Sequence, residues 1–316
     1  MGTYSYVVRR LLTMLPTMFI VSSLVFYMGV VIPGDAAGAI LGAGTSKEEI
    51  EELQHKLGLD RPVHERYLEW LVRLIQGDMG RSLSTDLPVL DEIVKRLPVT
   101  FTLTVFAMAW SLAIAIPAGI ISAVRRNSKF DAAASIIALQ GLSIPAFVTS
   151  ILLIFIFSIW FPILPGGGYT SLLVDPIDGL RRMILPSLAL GTVLAAYTFR
   201  MTRSSVLEIM HMEYITTARS KGLPERVVLY RHAMKNAFIP IVTAIGLQFA
   251  NLMAGAVVIE AVFLMPGVGK LAVQSVFDRD IPMVQGITMI SAFLFLFINL
   301  VVDAIYTYLD PRIRYK

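Results

Sequence analysis

Six stretches of this chain run without a charged residue, at 11–32, 99–124, 132–164, 183–199, 236–259 and 281–302. A helix needs about 20 apolar residues to cross the hydrocarbon core of a bilayer. Each stretch approaches or exceeds that length, so the pattern predicts six transmembrane helices. The 132–164 run is too long for one straight span, and Gly141 and Pro145 are where it should be disturbed. The 183–199 run is the short one. The first run follows Arg9 and Arg10, and Ala37-Gly38-Ala39 offers a small-residue pattern of the kind cleaved after secretory signals. A signal core holds only about 7–15 apolar residues, so the longer run reads as a retained span.

The polar segments between these runs have helical patterns of their own. In 33–98, Ser46 and Glu49 form a capping box, and Ile50, Leu53 and Leu57 follow at helical spacing before Gly58. Pro62 can open a second helix, with Tyr67, Leu68, Leu71 and Ile75 on one face and Gly77 closing it. Residues 89–97 read as a third. Three short amphipathic helices make a small cap without a deep core. The other long polar stretch, 213–240, reads as two short helices with a sharp break. Gly222 suits the left-handed position past a helix end. Pro224 suits the first turn of the next helix. Beyond the break, Leu223, Val227, Tyr230, Met234 and Ala237 recur at helical spacing, which predicts one apolar face.

Composition agrees with a membrane protein: 56% of the 316 residues are hydrophobic and 16% charged, against about 25% charged in a soluble domain. The mean hydropathy is +0.70. The formal charge of +4 is explained by basic loops, with no call on nucleic acid. With the N-terminus inside, segments 1–10, 124–135, 200–237 and 307–316 face the cytoplasm and hold fifteen basic residues. The longer outer segments hold twelve. That balance predicts an N-in, C-in topology. The chain then divides into an N-terminal segment with its first span (1–32), the extracytoplasmic helical loop (33–98), a five-helix membrane core (99–306) containing the cytoplasmic loop 200–237, and a tail (307–316).

Several chemistries are excluded. There is no cysteine, hence no disulfide, thiol nucleophile or thiolate-held metal. Gly267-Val268-Gly269-Lys270 ends like a phosphate-binding loop, but Leu264 stands where its first Gly belongs and Leu271 where its Ser or Thr belongs. His211-Met212-Glu213 has no second His four residues on, so the zinc-protease pattern fails. The other histidines, His55, His64 and His232, lie singly in loops. Gly141-Leu142-Ser143 begins like a serine nucleophile turn, but Pro145 replaces its closing Gly. Glu260 and Asp303 are acids near span ends, where headgroups or water would solvate them; their roles are left open.

Residues Glu213, Tyr214, Thr217, Ala218, Arg219, Lys221, Gly222, Leu223, His232, Asn236, Ala237 and Pro240 resemble the cytoplasmic coupling loop of ABC importer permeases, in particular the dipeptide/oligopeptide/nickel branch. Further likenesses are Ile32-Pro33-Gly34-Asp35, Leu57-Gly58-Leu59-Asp60, Gly77-Asp78-Met79-Gly80 with Ser82, Met265-Pro266-Gly267-Val268-Gly269 and the ending from Asp310. The resemblance implies a type I importer permease in the bacterial inner membrane. It implies a second, homologous permease as heterodimer partner, two ATPase subunits that bind ATP and Mg, and an extracytoplasmic substrate-binding protein. This chain would hold no cofactor or metal and catalyse nothing itself. The expected coupling residues are Glu213, Thr217, Ala218, Lys221 and Gly222: Ala218 and Gly222 for close approach, Glu213 and Lys221 for charge-assisted contacts. The 33–98 loop, too polar for lipid, is expected against the binding protein or over the pathway. Dipeptide, longer peptide, glutathione-like compound, nickel chelate and sugar all remain open as cargo. An ion-driven secondary transporter or channel is the alternative, but it would usually carry ionisable residues at mid-membrane, and the spans lack them.

Overall fold

The computed structural model describes residues 3–31, 55 and 60–309. Along them run α1 (Thr3–Val31), α2 (Val63–Ile75), α3 (Val89–Val124), α4 (Lys129–Ser143), α5 (Ala146–Ile154) and α6 (Pro176–Met210). Then come α7 (Glu213–Ser220), α8 (Glu225–Val227), α9 (Met234–Val262), α10 (Val268–Phe277) and α11 (Ile281–Leu309). A π-helical turn extends α5 over Phe155–Trp160, and another, Val228–Ala233, joins α8 to α9. Strand pairing among the described residues amounts to one bridge, Arg81 with Pro88.

Among the described residues four helices are long and apolar enough to cross a membrane: α1 from Arg10, α3, α6 and α11 up to Val302. Helices α4 and α5 make a fifth span if the pair counts as one, bent by 104°. The bend falls at Ile144 and Pro145, one of the two expected places, because a prolyl ring disfavours helical backbone in the residue before it; Gly141, the other, stays inside α4. Helix α9, 29 residues long, covers the apolar run 236–259.

The central pair is α3 with α6, whose backbones approach through small residues. Ser111 donates to the carbonyls of Ala107 (2.5 Å) and Gly191 (2.8 Å). A Cβ on Gly119 would meet the Phe199 carbonyl at 2.9 Å. Such close approach is how membrane helices gain contact where lipid supplies no hydrophobic drive. Around this seam lies a core of Leu103, Ala107, Met183, Leu185, Leu194, Ile259, Phe263 and Met265. At about 1.5 Å per residue, α3 and α6 exceed the roughly 30 Å hydrocarbon core by several turns.

Three expectations change. Residues 89–97 are not a separate cap helix: α3 runs unbroken from Val89 to Val124 through Pro98. The boundary between cap and core therefore falls inside a helix, since membrane helices tolerate proline where neighbours re-satisfy the backbone. The short run 183–199 is the middle of a 35-residue helix. In α2, Tyr67 is buried while Leu68 and Ile75 of the same expected face are exposed. The helix predicted after Ser46 lies outside the described residues.

Candidate functional site

Helix α6 stops at Met210, and after His211 and Met212 the chain starts α7 in a new direction. Ile215 and Ala218 of α7 point inward, onto Ala123 of α3, Val206 of α6, and Val228, Leu229, Ala233, Met234 and Ala237. The short helix thus shares one buried cluster with the ends of α3 and α6 and the start of α9, and its nearest neighbour is the π-helical turn. Glu213, Thr217 and Lys221, four residues apart, share the opposite, exposed face.

Lys221 caps the helix and Gly222 follows with φ +75°, its N–H donating to Arg219 O at 2.9 Å. This is the left-handed exit expected of glycine. A Cβ there would meet nothing within 4 Å, so the outer side of the elbow is open. Across the break, Arg219 holds Glu225 at 2.6 Å, which keeps the Glu225 carboxyl below the usual carboxylate range. Asn236 donates to the Tyr214 hydroxyl at 2.8 Å, fastening α7 to the first turn of α9.

Two expectations for this stretch are corrected. The second helix is not short: it continues through the π-helical turn into α9. The extra residue of that turn rotates the face. Val228, Leu229, Ala233, Met234 and Ala237 are buried, whereas Tyr230 is exposed. Pro224 stands one position earlier than expected, as the N-cap of α8. Of the five residues expected to couple, Glu213, Thr217, Lys221 and Gly222 come together on the surface. Ala218 faces the chain's own core, so the close approach it allows is to α7's bed.

The platform is braced by an ion pair that the sequence did not single out. Arg203, on α6, makes a two-pronged contact with Asp131 in the first turn of α4, at 2.7 and 2.9 Å. Ser122 near the end of α3 donates to the same carboxylate, and so does Asn127 N.

At the other end of α9, Glu260 is fully buried, which corrects the expected solvation. Thr100 donates to it at 2.5 Å and Lys270 N at 3.0 Å, and Val268 N donates to Thr100 at 2.9 Å. The carboxylate thereby satisfies the free N–H groups that open α10. A Cβ on Gly267 would overlap it, and a Cβ on Gly269 would overlap Val257. Both glycines of the Gly267-Val268-Gly269 element are thus required for close approach to α9. Among the described residues no group of His, Asp or Glu could hold a metal ion, and Asp303's side chain lies outside them.

The chain matches two family descriptions: "Binding-protein-dependent transport system inner membrane component" over residues 115–315, and the N-terminal part of such components over 3–104. It is 42% identical over 312 residues to the glutathione transport system permease protein GsiC of Escherichia coli K12, covering 99% of both chains. It is 41% identical over 309 residues, 98% of both chains, to a Brucella abortus (strain 2308) protein named provisionally as a peptide transport system permease. An inward-facing structure of the MetNI methionine ABC transporter shares the fold, with TM-score 0.55 and 17% identity over 70% of this chain and 97% of that one.

Proposed function

The chain belongs to the family of binding-protein-dependent transport system inner membrane components, and from that premise we propose how it works. It is a multi-pass permease of the inner membrane, a subunit of an ABC importer. In our reading it has six spans, α1, α3, the bent α4–α5 pair, α6, α9 and α11, with both termini in the cytoplasm. It pairs with a second, homologous permease. Two ATPase subunits, which bind ATP and Mg, dock beneath, and a binding protein delivers cargo from outside. The cargo is a short peptide, a class suggested by the names of the relatives.

The supporting observation is the exposed stripe Glu213, Thr217 and Lys221, ended by the open elbow at Gly222 and backed by the buried cluster that joins three helix ends. A transporter needs a bistable pair of bundles and a source of free energy. This chain lacks a nucleotide-binding motif, so that energy enters by contact. Closure of the ATPases on ATP pushes α7, which moves α3, α6 and α9 together because the buried cluster beneath it joins all three. Hydrolysis in the ATPases resets the pair. Ala218 acts from beneath, by letting α7 lie close to its bed.

The test is uptake into liposomes. The chain with its second permease, ATPases and binding protein should import labelled peptide only when ATP is supplied on the ATPase side. Saturable uptake by this chain alone under an ion gradient would overturn the reading in favour of a secondary transporter.

A further inference from the structure

Helix α2 is apolar over more of its surface than it buries. With 3.6 residues per turn, its apolar positions span about 200° of the circumference, an arc interrupted by exposed His64 in the first turn. One half of that arc, including Tyr67 and Trp70, faces α1: the Tyr67 hydroxyl lies 3.0 Å from Ser22 Oγ and 2.9 Å from Ser23 Oγ. The Tyr67 and Trp70 rings stand 5.4 and 5.5 Å from Phe26. On the other half Leu68, Val72 and Ile75 are 58%, 53% and 79% exposed. The remaining arc is polar. There Glu69 bonds Arg61 at 2.8 Å and Arg73 at 2.6 Å.

The level of α2 can be read from its neighbours. Gly29 of α1 lies against Ile281 and Gln285 in the first turns of α11, and Gly286 lies against Val89 and Ile93 of α3. The end of α1 is therefore level with the first turns of α3, where Asp91 and Lys95 are exposed and Glu92 pairs with Arg96. Charged side chains at that height mark the edge of the hydrocarbon. Helix α2 meets α1 between Phe19 and Tyr27, in the turns next to this boundary. Tyr67, Trp70 and Tyr27 cluster there, and Tyr and Trp concentrate where apolar and aqueous phases meet. On α1, Ile20, Leu24 and Met28 are likewise exposed.

We propose that α2 lies in the membrane–water interface on the side of the α1–α2 connection, with Leu68, Val72 and Ile75 in lipid and the Glu65, Glu69 and Arg73 face in water. A helix of this pattern, apolar on one side and charged on the other, seats itself at the headgroup boundary. It fixes the peripheral α1 at a set depth, and it places part of the 33–98 segment beside the permease in lipid, contrary to the expectation from its overall polarity. The inference rests on the chain being membrane-embedded, as its family is.

Because the chain has no cysteine, single spin labels can be placed at will. Leu68→Cys, Val72→Cys, Ile75→Cys, Glu65→Cys and Arg73→Cys would be labelled in the complete transporter, in nanodiscs of phosphatidylethanolamine and phosphatidylglycerol. Ile20→Cys in α1 is the lipid control. Collision rates with oxygen, which partitions into lipid, and with a water-soluble nickel chelate are then compared. The oxygen-to-nickel ratio at 68, 72 and 75 should exceed that at 65 and 73 several-fold and fall between those values and the ratio at the deeper Ile20. Nickel-dominated values at 68, 72 and 75 with an oxygen-dominated Ile20 would overturn the proposal. So would protection from both reagents, which would mean that protein covers the face. Nickel access at Ile20 as well would instead count against the membrane placement of α1.

Discussion

Substitution of Gly222 separates two demands on the elbow. The residue sits at φ +75° with no atom within 4 Å of a would-be Cβ. In the permease alone, any substitution therefore meets only the backbone penalty. A left-handed conformation costs an ordinary L-residue about 1–2 kcal/mol, and less for Asn, which visits that region more readily. Gly222→Ala and Gly222→Arg should thus lower the thermal stability of the purified permease by the same small amount, and Gly222→Asn by less. In the proposed assembly the open space is where the ATPase comes close. A guanidinium on a long stem cannot be accommodated there, whereas a methyl group can. Gly222→Asn and Gly222→Ala should keep most of the ATPase activity stimulated by loaded binding protein. Gly222→Arg should lose co-purifying ATPase subunits and at least tenfold in stimulated activity, the equivalent of about 1.4 kcal/mol. If Gly222→Arg matched Gly222→Ala in both stability and stimulation, nothing would approach the elbow and the coupling argument would fail.

Other outcomes follow from the same geometry. Glu260→Gln keeps the volume but turns an amide donor toward groups that already donate. It should destabilise the purified permease by about 1–3 kcal/mol, and Glu260→Ala by more, read as thermal unfolding in detergent; unchanged unfolding would mean that Glu260 does not cap α10. Gly267→Ala should do likewise, because its methyl would occupy the carboxylate's place. Asp131→Ala should cost about 3–5 kcal/mol by leaving Arg203 without its partner, and the double variant Asp131→Ala with Arg203→Leu should recover part of that loss. The Arg219–Glu225 bridge has the opposite scale. Glu225's pKa is lowered in the folded chain, so the bridge's contribution is complete above the ordinary carboxylate range and fades as pH falls through the folded value. Both side chains are well exposed, which limits it to about 0.2–1 kcal/mol. Glu225→Gln should therefore abolish any acid-side loss of α7 protection from hydrogen exchange that the bridge causes. A persisting loss of the same size would assign it elsewhere.

The elbow was legible because its signals are local. Gly222 past a helix end and Pro224 at the start of the next helix lie within three residues of each other. Pro145 announced its bend for the same reason. The face of the segment after Gly222 was misread because periodicity assumes 3.6 residues per turn, and the π-helical turn at Val228–Ala233 breaks that count. Pro98 looked like a boundary, yet its helix is held by neighbours that no local pattern reveals. Glu260 was read as solvated because its partners Thr100 and Lys270 arrive by tertiary contact, Thr100 from 160 residues away. Asp131 and Arg203 are 72 residues apart, and their types alone do not distinguish a brace from two solvated charges. A hint did exist in Gly267 and Gly269, two glycines beside a helix start, which signal that something passes close by.

The central claim is that force reaches this chain through the outer face of α7. The absence of native cysteine makes one measurement direct: Lys221→Cys in the assembled, transport-competent complex, treated with a short bifunctional thiol reagent after a cysteine is placed on the facing surface of the ATPase. The account predicts a covalent adduct between residue 221 and the ATPase subunit, with a yield that changes when ATP is bound. A complex that imports peptide on ATP yet gives no such adduct from any position on the exposed stripe of Glu213, Thr217 and Lys221 would contradict it.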